Sequence, residues 1–347
     1  MRGRGRRSLL VLVLSLVTMT SACSGSGGGA TRQAAPVTGS SPAPVALSEP
    51  PVTLAEARKA LAGILGAEEV LSRAAPHQDA DVRNILEQTR DGQQALALAA
   101  LNGPADALPH YTWGRPQLLV PRTQSSPFWF GAIVNRRNGK GDTRTAVLTL
   151  IKYGEERWYL SSASLLEAGA QAPEIAKDPQ GYATALGSED TTIAISPRLM
   201  APLHATSAEE GTGGFTAGLI AKGSRTTGYA DEIAANRMDY RAKECLDYDS
   251  IFAASSEPVH ALRTTDGGAM VIYSLIRTTT LTTKIQPCAT VIVVPPEIRR
   301  LAGASYAQKE LRTVEMQQYV STVPPGNSHQ PARIIGYLGG TTRVSVS

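Results

Sequence analysis

The apolar residues change period once, near Pro109, and that change limits the folds open to this chain more than any other feature. Upstream, Leu54, Leu61, Ile64, Leu65 and Leu71 recur at helical spacing behind Thr53-Leu54-Ala55-Glu56, a capping-box pattern. Pro76 ends that helix. A second helix, capped by Asp79, carries Val82, Ile85, Leu86, Thr89 and Leu96 inward and stops at Asn102-Gly103. Gly92 weakens its middle, so a break near Asp91 is expected. Downstream, Phe128, Phe130, Ala132 and Val134 share one face of a strand, with Trp129 and Ile133 on the other. Asn138-Gly139 and Gly141-Asp142 turn the chain, residues 145–153 return, and Gly154-Glu155-Glu156 turns it again into Trp158-Tyr159-Leu160. Helices followed by an antiparallel meander predict an α+β domain over residues 52–168, its helices laid on one sheet face.

Residues 169–190 are Ala, Gly, Pro and polar side chains and read as a connection to a second α+β domain, 191–347. There, residues 197–208 suit a short helix broken by Gly211-Thr212-Gly213-Gly214, and residues 238–248 are ambiguous between helix and strand. Residues 259–263, Asp266-Gly267-Gly268 and residues 269–281 make a hairpin. A β-branched run at 290–294 ends at Pro295-Pro296, and one or two helical turns fit 297–304. Alternation at 310–320 and a closing segment at 333–346 add strands. No convincing residue-level repeat relates the two halves.

The first 51 residues obey different rules. Arg2, Arg4, Arg6 and Arg7 form a cationic start, Leu9 to Val17 is apolar apart from Ser15, and Thr20-Ser21-Ala22-Cys23 follows. That apolar run is too short to span a membrane, which takes roughly 20 residues. Residues 1–22 therefore read as a signal peptide. Residues 23–51, mostly Gly, Ser, Ala, Thr and Pro, read as a disordered tether that cannot bury enough surface to offset its ordering entropy. The arrangement resembles a bacterial lipoprotein signal with Cys23 as the lipidated residue, and Arg6-Arg7-Ser8-Leu9-Leu10 resembles a loose twin-arginine export signal. Without residues 1–22, the formal charge of +4 vanishes, leaving 30 basic and 30 acidic side chains. A neutral body excludes a general nucleic-acid binder, which needs clustered positive surface.

Several features resemble one known group when taken together. They are the lipobox-like start, the Ser/Gly/Pro tether, Arg115-Pro116 to Pro121-Arg122 before Phe128-Trp129-Phe130, Trp158-Tyr159-Leu160, and the run from Ala261 through Asp266-Gly267-Gly268 to Val271. The chain resembles lipoproteins of actinobacteria, Streptomyces-like, whose paired domains have no assigned function. The helix-then-meander order resembles the nuclear-transport-factor-like and cystatin-like folds, with helices across a curved sheet. These likenesses imply architecture and a place on the extracytoplasmic face of the cell membrane. They carry no site residues.

Chemical motifs are scarce. His77, His110, His204, His260 and His329 stand apart, each read as a loop or partly buried residue, and no zinc spacing, G-x-S-x-G, S-x-x-K or phosphate-binding Gly-rich loop occurs. Asp247-Tyr248-Asp249 places two carboxylates on one strand face, either a calcium contact or a solvated edge. Arg136-Arg137-Asn138-Gly139-Lys140 concentrates charge at a hairpin tip, either against anionic lipid and wall polymers or simply solvated. Trp129, Trp158 and Tyr273 either line an apolar pocket or fill a core. With Cys23 assigned to lipid, Cys245 and Cys288 are the remaining thiols, and in an exported chain they are expected to pair, two separate buried thiols being the other reading. The expectation is a non-catalytic, lipid-anchored binding or scaffolding protein with no cofactor and no metal. Its partners are membrane lipid through Cys23 and an envelope protein or wall component. A small-molecule-binding pocket is the main alternative, and an envelope hydrolase the lesser one.

Overall fold

A computed structural model of the chain describes residues 50–73, 78–102, 111–283 and 291–347. The signal, nearly all of the tether, Cys23 and Cys288 lie outside the described residues. At the start of α1 (Leu54–Arg73), Thr53 accepts the Glu56 amide at 3.1 Å, as the capping pattern predicts. The Glu56 carboxylate goes elsewhere, taking Lys152 at 2.8 Å and the Trp158 indole at 3.0 Å. Burial opposes its charge, but these donors outweigh burial and hold the carboxyl below its usual range. Ala57, Leu61, Ile64 and Leu65 pack on Phe130, Ala132, Val134, Leu148 and Leu150.

The second predicted helix is split into α2 (Gln78–Gln88) and α3 (Asp91–Ala100). At the break the Arg90 amide donates to Leu160 at 3.0 Å, and Asp91 sits at a left-handed φ of 52°. Leu86, expected inward, is exposed, because the break turns α2 against α3 and the strand Tyr159–Leu166. The meander comprises β1 (Tyr111–Trp113), β2 (Gln117–Leu119), β3 (Phe128–Asn138), β4 (Thr143–Lys152) and β5 (Tyr159–Leu166).

The rest contributes α4 (Pro197–Glu210) and α5 (Gly228–Asp239), then β6 (Leu246–Ala254), β7 (His260–Arg263) and β8 (Ala269–Thr283). After these come β9 (Ile292–Val293), β10 (Tyr306–Ala307), β11 (Glu310–Val323) and β12 (Arg333–Val346). Residues 238–248 resolve as both readings: α5 ends, a π turn runs over Tyr240–Glu244, and β6 begins. The hairpin β7–β8 pairs His260 with Ile272 and Arg263 with Ala269.

The chain is thus a mixed α+β fold with few helices and one large antiparallel sheet. Ten strands join in the order β1-β3-β4-β5-β12-β11-β8-β6, with β2 beside β3 and β7 beside β8. The two expected helix-plus-sheet units meet within this sheet, where Leu166 faces Gly336 and Leu165 faces Tyr337. That contact between β5 and β12 is short. Beside it, the buried Gln318 accepts from the Ala163 amide at 2.9 Å and donates to the Ser161 carbonyl at 3.2 Å. These bonds satisfy β5 backbone that no strand covers, and α3 lies across β5, β11 and β12 at the same place.

Residues 169–190 are stitched to both sides of this junction. Ala183 donates to Val120, Leu186 to Ala261, and Thr265 to Glu174. A shared core of Leu119, Trp129, Val147 and Leu166 with Leu262, Met270, Ile272 and Val320 lies with them. No helix among the described residues is long and apolar enough to cross a membrane.

Candidate functional site

Helix α4 packs on β6, β8 and α5, and beneath α4 and α5 the sheet presents tyrosines where aliphatic residues would make a drier core. His204 is fully buried. Its Nδ1 lies 2.9 Å from the Tyr273 hydroxyl and its Nε2 lies 2.6 Å from the Arg225 carbonyl. A carbonyl only accepts, so Nε2 carries the proton and Nδ1 accepts from Tyr273. Burial pushes the imidazole down to about 4, so this neutral tautomer persists at ordinary pH.

A second chain of bonds has a fixed direction. Arg225 Nη1 donates to the Tyr229 hydroxyl at 3.2 Å, and that hydroxyl is 3.2 Å from the Tyr319 hydroxyl. Tyr319 donates to Gln317 Oε1 at 2.8 Å, and Gln317 Nε2 donates to Glu315 at 2.9 Å. With Tyr319 donating onward, its oxygen takes the Tyr229 proton. Burial raises the Tyr273, Tyr319 and Tyr337 hydroxyls above their usual range, so they stay protonated. The Arg225 guanidinium also lies 4.0 Å from the Tyr337 ring centre, within cation–π range. A separate guanidinium, that of the buried Arg277, is held by Glu232 at 2.7 Å, Tyr248 at 3.1 Å and Ser250 at 2.8 Å.

Arg225 belongs to a loop before α5 that is tied from several directions. The Thr226 hydroxyl donates to Ala221 at 2.8 Å, the Gly228 amide to Gly223 at 2.9 Å, and the Ala221 amide to Ala332 at 2.8 Å. Between this loop, the end of β5 and the start of β12 is a cleft of about 140 Å³. Lys222, Arg225, Arg333, Ser224 and Glu167 line it. Among the described residues none of its cations is ion-paired. This cleft, backed by the histidine–tyrosine layer, is the candidate site. Sequence reasoning passed over it, since Lys222-Gly223-Ser224-Arg225 matches no known phosphate loop and Arg333 lies far along the chain.

The residues singled out from sequence are placed differently. Cys245 ends the π turn at a left-handed φ of 56° and is disulfide-bonded, and its expected partner Cys288 lies outside the described residues. Asp247 and Asp249 pair with Arg241 and Arg237 on the edge strand β6. No group of three or more potential metal ligands occurs among the described residues. Arg136 is folded over the Tyr111 ring at 3.7 Å. Trp129 stacks on His260 at 4.3 Å, Trp158 packs edge-on to Phe130 at 4.8 Å, and Tyr273 serves the network; all three fill core. His204 and His260 are deeply buried, beyond the loop or partly buried positions expected, because each sits on an element with a fully covered face. His329 is exposed, while His77 and His110 lie outside the described residues.

The fold and cleft define a mixed α+β protein with a cationic recess backed by a buried histidine–tyrosine layer. The chain belongs to the family defined by the domain of unknown function DUF8094, which matches residues 48–345. It is similar to an uncharacterised lipoprotein of Streptomyces coelicolor, 26% identical over 242 residues, covering 68% of this chain and 64% of the relative. A second, from Streptomyces avermitilis, is 25% identical over 162 residues and 45% of each chain. The chain thus spans between about half and just under two thirds of the curated relatives it matches. No solved structure matches it.

Proposed function

We propose that this is a lipid-anchored, extracytoplasmic protein of the cell envelope whose body binds without catalysing. The observation that carries this reading is that the polar groups buried around His204 are spent on one another. Both nitrogens of His204 are occupied, and Tyr229, Tyr319 and Gln317 form a closed relay that ends on Glu315. A general base must instead reach a substrate proton. Lipoprotein relatives and the Thr20-Ser21-Ala22-Cys23 signal support the anchor, with diacylglyceryl modification of Cys23 supplying the two chains that stable attachment needs. The Cys245–Cys288 disulfide is part of the same reading, suited to an oxidising compartment. A relation to nuclear-transport-factor-like or cystatin-like folds rests on the helix-then-meander order of residues 52–168.

The anchor is tested by replacing Cys23 with Ser and fractionating cells. The wild type is expected in the membrane pellet and Cys23→Ser in the soluble fraction. A variant that pellets like the wild type overturns the anchor.

A further inference from the structure

We infer that the cleft formed by the Lys222–Thr226 loop, Glu167 and Arg333 binds a phosphoryl group, the terminal phosphate of a lipid headgroup or of a soluble ester. This rests on the binding reading above and names the ligand class of that site. Three features of the cleft converge on it.

The first is size. At about 140 Å³ the cleft is well below the roughly 300–1,000 Å³ of pockets that enclose a whole small molecule. It admits one compact group and leaves whatever carries that group outside. The second is charge. Lys222, Arg225 and Arg333 against Glu167 give the lining a formal +2, with no ion pair among the described residues to cancel the cations. A phosphate monoester carries close to two negative charges at neutral pH, whereas a carboxylate carries one. Arginine presents a planar fork of donors suited to phosphate oxygens, and Lys222 adds a point charge.

The third is preorganisation. Binding is strongest where donors are fixed beforehand, because no ordering cost falls due when the ligand arrives. Arg225 is fixed twice. Its carbonyl is held from behind by buried His204, and its guanidinium is set over Tyr337 and bonded to Tyr229. The Tyr229–Tyr319–Gln317–Glu315 relay then points every hydroxyl proton away from Arg225, so the phenol oxygen of Tyr229 faces the guanidinium as an acceptor. This polar layer fills the core beneath the cleft with groups that also fix the arginine above it. Its effect is to hold a cation at the cleft mouth without neutralising it.

The test uses the full chain, solubilised from membranes in a neutral detergent, and isothermal titration. The titrants are inorganic phosphate, glycerol 3-phosphate, the water-soluble dibutyryl phosphatidate, and acetate. All three phosphates are expected to bind saturably, at least about 10-fold tighter than acetate. Phosphatidate binding about 10-fold tighter than glycerol 3-phosphate assigns the ligand to lipid; equal affinity assigns it to a soluble ester.

Lys222→Ala and Arg333→Ala alter exposed side chains, and each is expected to weaken binding about 10-fold, in line with loss of one charged hydrogen bond. Arg225→Lys keeps the charge but loses the fork and the Tyr229 bond, so it should weaken binding about 10-fold while the variant still folds and melts cooperatively. Saturation by none of the phosphates below about 10 mM overturns the proposal. So does acetate binding as tightly, or unchanged affinity in the Lys222→Ala, Arg333→Ala double variant. The broader reading fails separately. Release of inorganic phosphate from glycerol 3-phosphate would make the protein an enzyme, and a pelleting Cys23→Ser variant would remove the anchor, each leaving the cleft's ligand class intact.

Discussion

His204 and His260 are buried to similar depth and put to different use. His204 bridges Tyr273 and the Arg225 carbonyl, while His260 stacks on Trp129 and its Nε2 has no partner among the described residues. Burial lowers both imidazoles to about 4, so protons bind better to the unfolded chain. Their contribution to stability is therefore complete above pH 6.5 and is lost as pH falls from 6.5 toward 4, at most about 3 kcal/mol each. Glu257 runs the other way. Burial, with Asp91 adding to it, raises its carboxyl to about 6, so its contribution is complete below about pH 4.5 and is lost as pH rises through 6. Glu68, which burial raises to about 7, acts in the same direction as Glu257, so the two carboxyls offset much of the imidazole loss and the net fall between pH 7 and 5 is small. His260→Phe should flatten that fall and cost less than about 1 kcal/mol at pH 7, since it removes an unpaired polar atom and keeps the stacking. His204→Phe strands a hydroxyl and a carbonyl and should cost about 3 kcal/mol. Urea titrations at pH 7 and 5 decide this; equal acid losses in the wild type and His260→Phe would refute the assignment.

Individual elements were legible wherever a local rule fixed them. Thr53 caps α1, Gly92 sits at the predicted break, and Asp266-Gly267-Gly268 turns β7 into β8. The turn also explains its glycines. Gly267 takes a left-handed φ of 84°, and a Cβ on Gly268 would lie 2.5 Å from the Val323 carbonyl oxygen. That oxygen is backbone in β11 and cannot move aside cheaply. Gly268→Ala is therefore expected to cost about 2 kcal/mol in a urea melt, and a loss below about 0.5 kcal/mol would show that the hairpin yields. Helix α5 was not legible, because only Tyr229 and Ile233 are buried along it and no apolar stripe forms. The candidate cleft was hidden for another reason. His204, Arg225, Tyr273 and Arg333 meet only after the sheet closes, and nothing near any of them in sequence marks the others.

At the scale of the whole molecule, the pairing of β5 with β12 decides how the body unfolds, and it too had no local signature. Residues 165–166 meet 336–337 over two residue pairs, a narrow seam for joining two meanders. Alone it would permit the halves to melt separately. Three further ties act across it: Gln318 on the β5 backbone, α3 lying over β5, β11 and β12, and the shared core in which Trp129 and Val147 meet Leu262 and Ile272. Each tie loses its contacts if either half opens, so opening one half removes support from the other. The expected result is one calorimetric transition for the full chain, with van't Hoff and calorimetric enthalpies in agreement. Gln318→Leu fills the same space but leaves the Ala163 amide and Ser161 carbonyl buried without partners. It should cost about 2–4 kcal/mol and strip hydrogen-exchange protection first from residues 161–163. Two resolved transitions in the wild type would mean that the halves are independent domains sharing only an edge. Unchanged exchange at 161–163 in Gln318→Leu would mean that α3, and not Gln318, closes the seam.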